Sequence, residues 1–316
     1  MVSVIALALV LVSLGAGDHD RSLAIGGLTR TYIVHVPPRV SEGRPLPVVF
    51  AFHGGGGNAS GFKAYAGLDA LADREGFAVV YPDGSGRFGR RLLTWNAGGC
   101  CGYAAAQNVD DVGFTVAVLR DVARNVSIDP ARVYATGHSN GGMMTYRLAI
   151  DASERVAAIA PVAGAMQAAS FPPARPVAVL HIHSVDDPGA LYAGGLGPPF
   201  PGTQSRVTHR AVEPELRRWA AQDRCPAEPR TVEQRTTPSR GGPDHTATLL
   251  VWAPCAGGTE VQLWKLTVAG HGWPGGHVLL PEKIMGPETV TIDAALEVWR
   301  FVSRFRRADA PTPEGR

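Results

Sequence analysis

The chain is short of charge, of lysine and of cysteines spaced for a metal. Only 18% of its 316 residues are Asp, Glu, Lys or Arg, and the formal net charge is +2. So small an imbalance leaves no electrostatic footprint for nucleic acid. Lysine occurs only at Lys63, Lys265 and Lys283, and every other basic side chain is arginine. The densest basic run, Arg87-Phe88-Gly89-Arg90-Arg91, is brief and reads as solvated surface. None of the four cysteines (Cys100, Cys101, Cys225 and Cys255) stands in a C-x-x-C, which argues against a zinc ribbon. The N-terminal apolar run, residues 4–12, is too short for a typical membrane span, so no stable membrane insertion is expected.

That run lies in a stretch, residues 1–17, without a single charge. Small residues at Ser13, Gly15, Ala16 and Gly17 supply a cleavage region, and residues 1–17 read as a signal peptide although a basic n-region is missing. An uncleaved anchor is the competing reading. Export would place the cysteines in an oxidising compartment. Cys225 ends a helix-like segment and Cys255 sits in a glycine-rich turn, and the two are predicted to pair. Cys100 and Cys101 are neighbours that form a vicinal bridge or stay reduced. Residues 308–316 read as a disordered tail.

What is abundant is apolar sequence, 45% of the chain, arranged in alternation. Strands are predicted over residues 30–36, 47–53, 77–81, 132–136, 156–162, 176–183, 246–252 and 261–267. Helices are predicted over 61–74, 110–125, 212–224 and 289–306. Strands alternating with helices predict an α/β class with a mostly parallel, doubly wound sheet in one catalytic domain, residues 18–307.

The most informative stretch is Gly137-His138-Ser139-Asn140-Gly141-Gly142. A strand-like run enters G-x-S-x-G and a helix-like run leaves it, the order of a nucleophile elbow. Glycine on either side keeps side chains out of the turn. A serine hydroxyl needs a base to take its proton and a third group to orient that base. In α/β-hydrolases the acid and then the base follow the serine, each beyond a strand's C-terminal end. The strand at 177–182 runs into Asp186-Asp187, and spacing alone does not choose between them. The strand at 261–268 runs into Gly270-His271-Gly272, and His271, nearer the strand end, is favoured over His277 as the base. The backbone N–H of Asn140 and that of Gly54 or Gly55, in His53-Gly54-Gly55-Gly56-Gly57, are the candidate oxyanion donors. No G-K-[ST] follows this loop, so a phosphate cradle is set aside. A metal site at His181, His183 and Asp187 would leave the elbow and the glycine loop unexplained, and no cofactor or metal is expected. Trp95, Trp273 and the loop at 189–202 are the candidates for binding substrate.

These residues resemble the polyhydroxybutyrate-depolymerase-like esterases, α/β-hydrolases related to the feruloyl and acetylxylan esterases of carbohydrate esterase family 1. The resemblance runs over residues 23–306. It is carried by the His53–Gly57 loop, Trp95-Asn96-Ala97 with Cys100-Cys101-Gly102, Val109-Asp110-Asp111-Val112-Gly113-Phe114, the elbow, and Gly270-His271-Gly272-Trp273-Pro274-Gly275. The family's acid stands in an H-G-T-x-D-P motif. Here the stretch reads His183-Ser184-Val185-Asp186-Asp187-Pro188, so the resemblance selects Asp187. It implies a secreted serine esterase without metal, acting on a polyester or on feruloyl or acetyl esters of polysaccharides. Rival readings are a peptidase on the same fold and a non-catalytic ligand-binding protein on a hydrolase scaffold.

Overall fold

The structure is a computed structural model and describes residues 13–42, 44–200, 204–239, 242–276 and 281–310. Residues 1–12 of the expected leader and 311–316 of the expected tail lie outside the described residues, as does His277. The strands are β1 (Gly17–Ile25), β2 (Leu28–Val36), β3 (Leu46–Phe52), β4 (Ala78–Pro82), β5 (Ile128–His138), β6 (Ala158–Val162), β7 (Ala178–Ser184), β8 (Gly195–Leu196), β9 (Thr208–His209), β10 (Arg230–Thr237), β11 (His245–Trp252) and β12 (Val261–Thr267). Ten of them form one sheet in the order β1-β2-β4-β3-β5-β6-β7-β12-β11-β10. The six strands from β4 to β12 run parallel, and antiparallel strands extend the sheet at both edges. This is the doubly wound, mostly parallel sheet that the alternation predicts.

The helices are α1 (Ala59–Ala66), α2 (Leu68–Glu75), α3 (Gly102–Ala106), α4 (Asp111–Asn125), α5 (Asn140–Asp151), α6 (Val212–Gln222), α7 (Glu282–Met285) and α8 (Ala294–Val302). Buried residues of α4, α5 and α6 pack on one face of the sheet with Val48, Phe50 and Phe52 of β3. Those of α1, α2 and α8 pack on the other with Val49 and Ala51. The period-2 strand geometry divides β3 between the two cores. Apolar residues on both faces are why the central strands read as unbroken hydrophobic runs.

Three expectations change. The predicted helix over 61–74 is two helices, because Gly67 takes φ 66° between α1 and α2. The closing helix spans only Ala294–Val302, capped by Asp293, whose side chain accepts from the Leu296 N–H at 3.0 Å. Four strands were not expected, the short pair β8 and β9 and, in the main sheet, β1 and β10. Edge strand β10 is polar (RTVEQRTT) and largely exposed, so it carries no buried alternation. β1 begins at Gly17, at the end of the expected leader, and pairs with β2 over its full length. Just before it, the Leu14 N–H donates to the Asn125 carbonyl at 2.8 Å.

Candidate active site

β5 delivers Ser139 to the C-terminal edge of the sheet, and α5 starts at the next residue. Ser139 itself takes φ 55°, ψ −118°. A residue with a side chain held there stores about 1–3 kcal/mol, so the surroundings must fix it. The Ser139 N–H donates to the Val162 carbonyl at 2.9 Å, and the Met143 N–H closes the first helical turn on the Ser139 carbonyl at 3.0 Å. The flanking glycines are needed for close approach rather than for their angles. A Cβ on Gly141 would lie 2.1 Å from the Phe52 carbonyl oxygen, and one on Gly137 2.5 Å from that of Gly141.

The two residues expected after Ser139 converge on it. Ser139 Oγ stands 2.8 Å from His271 Nε2, and His271 Nδ1 stands 2.8 Å from Asp187 Oδ2. Asp186 turns away and accepts from the Val268 N–H at 2.7 Å, which separates the two aspartates that spacing left equivalent. Asp187 is 4% exposed. Its Oδ1 accepts from the N–H groups of Gly189 and Ala190, both at 2.7 Å. Burial opposes ionisation, but the charge of His271 and hydrogen bonds from His183 and His271 outweigh it and hold the carboxyl well below the usual range. Burial likewise works against protonation of His271, but the charge and hydrogen bond of Asp187 prevail and raise its pKa. Gly189 lies flat against the imidazole, where a Cβ would come within 3.0 Å of His271 Cγ.

His138, the variable residue inside the elbow, bonds through Nε2 to the His271 carbonyl at 2.6 Å. Burial, with the nearby charge of His271, lowers it to about 3, so at neutral pH it is an uncharged donor that fixes the base loop. Sequence reasoning passed over this residue because its role depends on a contact 133 positions away.

The glycine loop closes the other side. His53 Nε2 accepts from the Gly84 N–H at 3.0 Å, so its proton sits on Nδ1 and is donated to the Gly54 carbonyl at 2.7 Å. Burial lowers His53 to about 4. Gly54 abuts the serine, a Cβ there standing 3.6 Å from Ser139 Cβ, and Gly55 abuts Asn140 at the same distance from Cβ to Cβ. The Asn140 side chain is spent on structure: Oδ1 accepts from the Trp95 N–H at 2.7 Å and Nδ2 donates to the Trp95 carbonyl at 3.0 Å. Its main-chain N–H belongs to the first turn of α5, where backbone donors have no intrahelical acceptor.

Both tryptophans are buried. Trp95 is fully buried, edge-on to Phe52 at 5.2 Å, and its Nε1 donates to the His53 carbonyl at 2.9 Å. Trp273 is 3% exposed and meets Phe62 edge-on at 5.4 Å, while its backbone N–H donates to the Tyr65 hydroxyl at 2.6 Å. Both hold loops in place. The accessible apolar wall is Phe200, 42% exposed, whose ring lies over Gly55 and Gly56, with Leu92, 59% exposed, beside Gly56. Phe200 lies in the 189–202 loop, whose glycine and proline content marked it as irregular without singling out one side chain. Residues 201–203 are outside the described residues.

Cys225 and Cys255 are joined as expected, with Cα atoms 4.2 Å apart, and Cys100 is bonded to Cys101. The ring nitrogens of His181 and His183 are all engaged in hydrogen bonds, so these residues are organised as a network rather than as open metal ligands.

The sheet order and the serine elbow together define an α/β-hydrolase in a single domain. The chain belongs to the family described as "Esterase PHB depolymerase", whose model matches residues 30–218. It is 32% identical over 274 residues to "Putative esterase NocK" of Nocardia uniformis subsp. tsuyamanensis, an alignment covering 81% of this chain and 74% of that protein. It is 26% identical to "Bifunctional acetylxylan esterase/xylanase XynS20E" of Neocallimastix patriciarum, over 91% of this chain and 35% of the other. It is 27% identical to "Feruloyl esterase B" of Piromyces equi, over 77% and 42%. The chain therefore spans well under half the length of these last two. Among solved structures, the acetyl xylan esterase from Aspergillus awamori superposes with a TM-score of 0.52 at 15% identity, over 80% of this chain and 94% of that one.

Proposed function

We propose that this chain is a serine carboxylic-ester hydrolase working through an acyl-enzyme, with Ser139, His271 and Asp187 as its triad. The observation that carries this is the pair of 2.8 Å contacts from Ser139 Oγ to His271 Nε2 and from His271 Nδ1 to Asp187 Oδ2. Ser139 Oγ attacks the acyl carbon as His271 Nε2 takes its proton. The oxyanion that forms is held by the N–H of Asn140 and that of Gly54 or Gly55. His271 returns the proton to the leaving alcohol, and water then releases the acid by the same route. Asp187 fixes the tautomer of His271 and stabilises the imidazolium; it stays ionised throughout.

For substrate, we propose feruloyl or acetyl esters of polysaccharides in preference to a polyester. The support is the similarity to acetylxylan and feruloyl esterases, together with the exposed Phe200 ring over Gly55 and Gly56, placed to stack on an aromatic acyl group. The two disulfides support an exported enzyme. A short-chain nitrophenyl ester assay on wild type and Ser139→Ala tests the mechanism: equal rates would sink it, and inactivity of both proteins would favour a binding protein. Rates on methyl ferulate, acetylated xylan and polyhydroxybutyrate, measured side by side, test the substrate. Preference for the polyester would overturn that part alone.

A further inference from the structure

Behind Asp187 lies a buried line of polar side chains that the acyl-transfer steps do not use. Tyr146, on α5, places its hydroxyl 2.9 Å from His181 Nδ1. His181 Nε2 lies 2.9 Å from His183 Nδ1, both side chains on one face of β7. His183 Nε2 lies 2.8 Å from the Ala190 carbonyl and 3.2 Å from Asp187 Oδ2, the oxygen that also meets His271. Tyr146 is 3% exposed, His181 0% and His183 1%.

The direction of the line follows from its end. A carbonyl only accepts, so His183 Nε2 must carry a hydrogen. In the neutral ring Nδ1 then accepts, which makes His181 Nε2 a donor and His181 Nδ1 an acceptor for the Tyr146 hydroxyl. Every bond points toward Asp187, and no buried donor or acceptor on the three side chains is left over. Burial keeps His181 well below its ordinary pKa, in keeping with a neutral ring. The line also closes on itself, since α5 begins at the residue after Ser139.

We infer that His183, held in one tautomer by His181 and Tyr146, is a positioning residue for Asp187. Its one Nε2 hydrogen holds the Ala190 carbonyl, so that the Gly189 and Ala190 N–H groups stay on one carboxylate oxygen, and the same N–H presents its positive end at 3.2 Å to the oxygen that meets His271. Asp187 thereby receives three hydrogen bonds, with the His183 N–H as a further contact at 3.2 Å on the oxygen that meets His271. The inference rests on the triad reading above. The titratable groups facing Asp187 are His183 from β7, His138 from the elbow, His209 from β9 and His271 from the base loop. Glu215, on α6, faces Tyr146.

Removing the His183 donor concentrates charge on Asp187 and strengthens its hold on protonated His271. His271 then keeps its proton to higher pH. In His183→Leu the acid limb of the kcat/KM profile should move up by about half a pH unit or more. The value of kcat should fall roughly tenfold, the scale of one hydrogen bond to a charged group, with KM unchanged. His183→Gln keeps a donor near the Nε2 position and should return the limb to its wild-type place. A structural role would lower the melting temperature of His183→Leu without moving the limb. An unmoved limb in folded His183→Leu, or a glutamine variant displaced as far as the leucine one, overturns the inference. Should His183→Leu fail to fold, Tyr146→Phe removes only the head of the line. It should shift the limb in the same direction by less, and no shift overturns the inference. Ser139→Ala, run alongside, separates the two levels: activity in that variant would overturn the triad itself, whereas its inactivity with an unmoved limb overturns the His183 role alone.

Discussion

At the scale of residues, the three side chains of the proposed triad are held by unequal means. Ser139 is fixed by backbone, His271 by a carboxylate and a glycine face, and Asp187 by three hydrogen bonds and the His183 contact. Ser139→Ala should keep the fold, since 139 has only to tolerate its positive φ, and should lower kcat on nitrophenyl acetate by roughly 10⁴-fold or more. Because His271 must be unprotonated to act as base, activity is present above its pKa and lost as pH falls through it. That pKa is raised above the ordinary value of about 6.5, so the acid limb of kcat/KM should lie above pH 6.5. A limb below pH 6 would contradict the Asp187 contact. The meeting of Ser139 with His271 was legible from chain order, because the fold fixes where a strand end can lead. Chain order says nothing of how far Trp95 and Trp273 are buried. A tryptophan in a glycine-rich loop looks the same whether it faces a cleft or closes the space behind it, and only three-dimensional packing decides.

At the scale of elements, the join between α6 and the turn before β12 carries two testable consequences. The Cys225–Cys255 bond closes a loop of sequence separation 30. Cross-linking that length is worth about 3–4 kcal/mol through the unfolded chain, so the double serine variant should lose about that much in a denaturant titration. Beside it sits Asp223, fully buried at the C-terminus of α6. Its Oδ2 accepts from the Val177 N–H at 3.2 Å, while Oδ1 has no partner among the described residues. Burial raises its pKa to about 7. A carboxyl raised in the folded state favours folding while protonated, and that advantage is lost as pH rises from about 4 to about 7. Asp223→Asn should therefore raise the melting temperature at pH 8 more than at pH 5, and equal changes at both would refute the assignment. Element boundaries were legible where both faces of a strand are buried. They failed at β10, whose polar face leaves no pattern, and at Gly67, where one left-handed residue divides what periodicity joins.

At the scale of the whole molecule, the architecture was legible because each central strand and its helix form one sequence-local unit. The order in which those units lie side by side was not: β4 stands between β2 and β3, and β12 beside β7, by contacts that composition does not mark. The low net charge has a consequence at this scale. With a formal charge of +2 there is little field to steer a neutral ester, so kcat/KM on nitrophenyl acetate should change less than about twofold between roughly 0.05 and 0.5 M NaCl.

The elbow around Ser139 is walled by peptide groups: the Phe52 carbonyl against Gly141, the Gly141 carbonyl against Gly137, and the Ser139 carbonyl against Gly164. The exposed apolar residues beside the glycine loop, Phe200 and Leu92, stand on separate loops that contribute nothing to that wall. The backbone that places Ser139 and the side chains exposed beside it can therefore vary independently. If Ser139 is the nucleophile, as proposed, a directed library that rewrites Phe200 and Leu92 should alter ester preference while Ser139 stays where the main chain puts it.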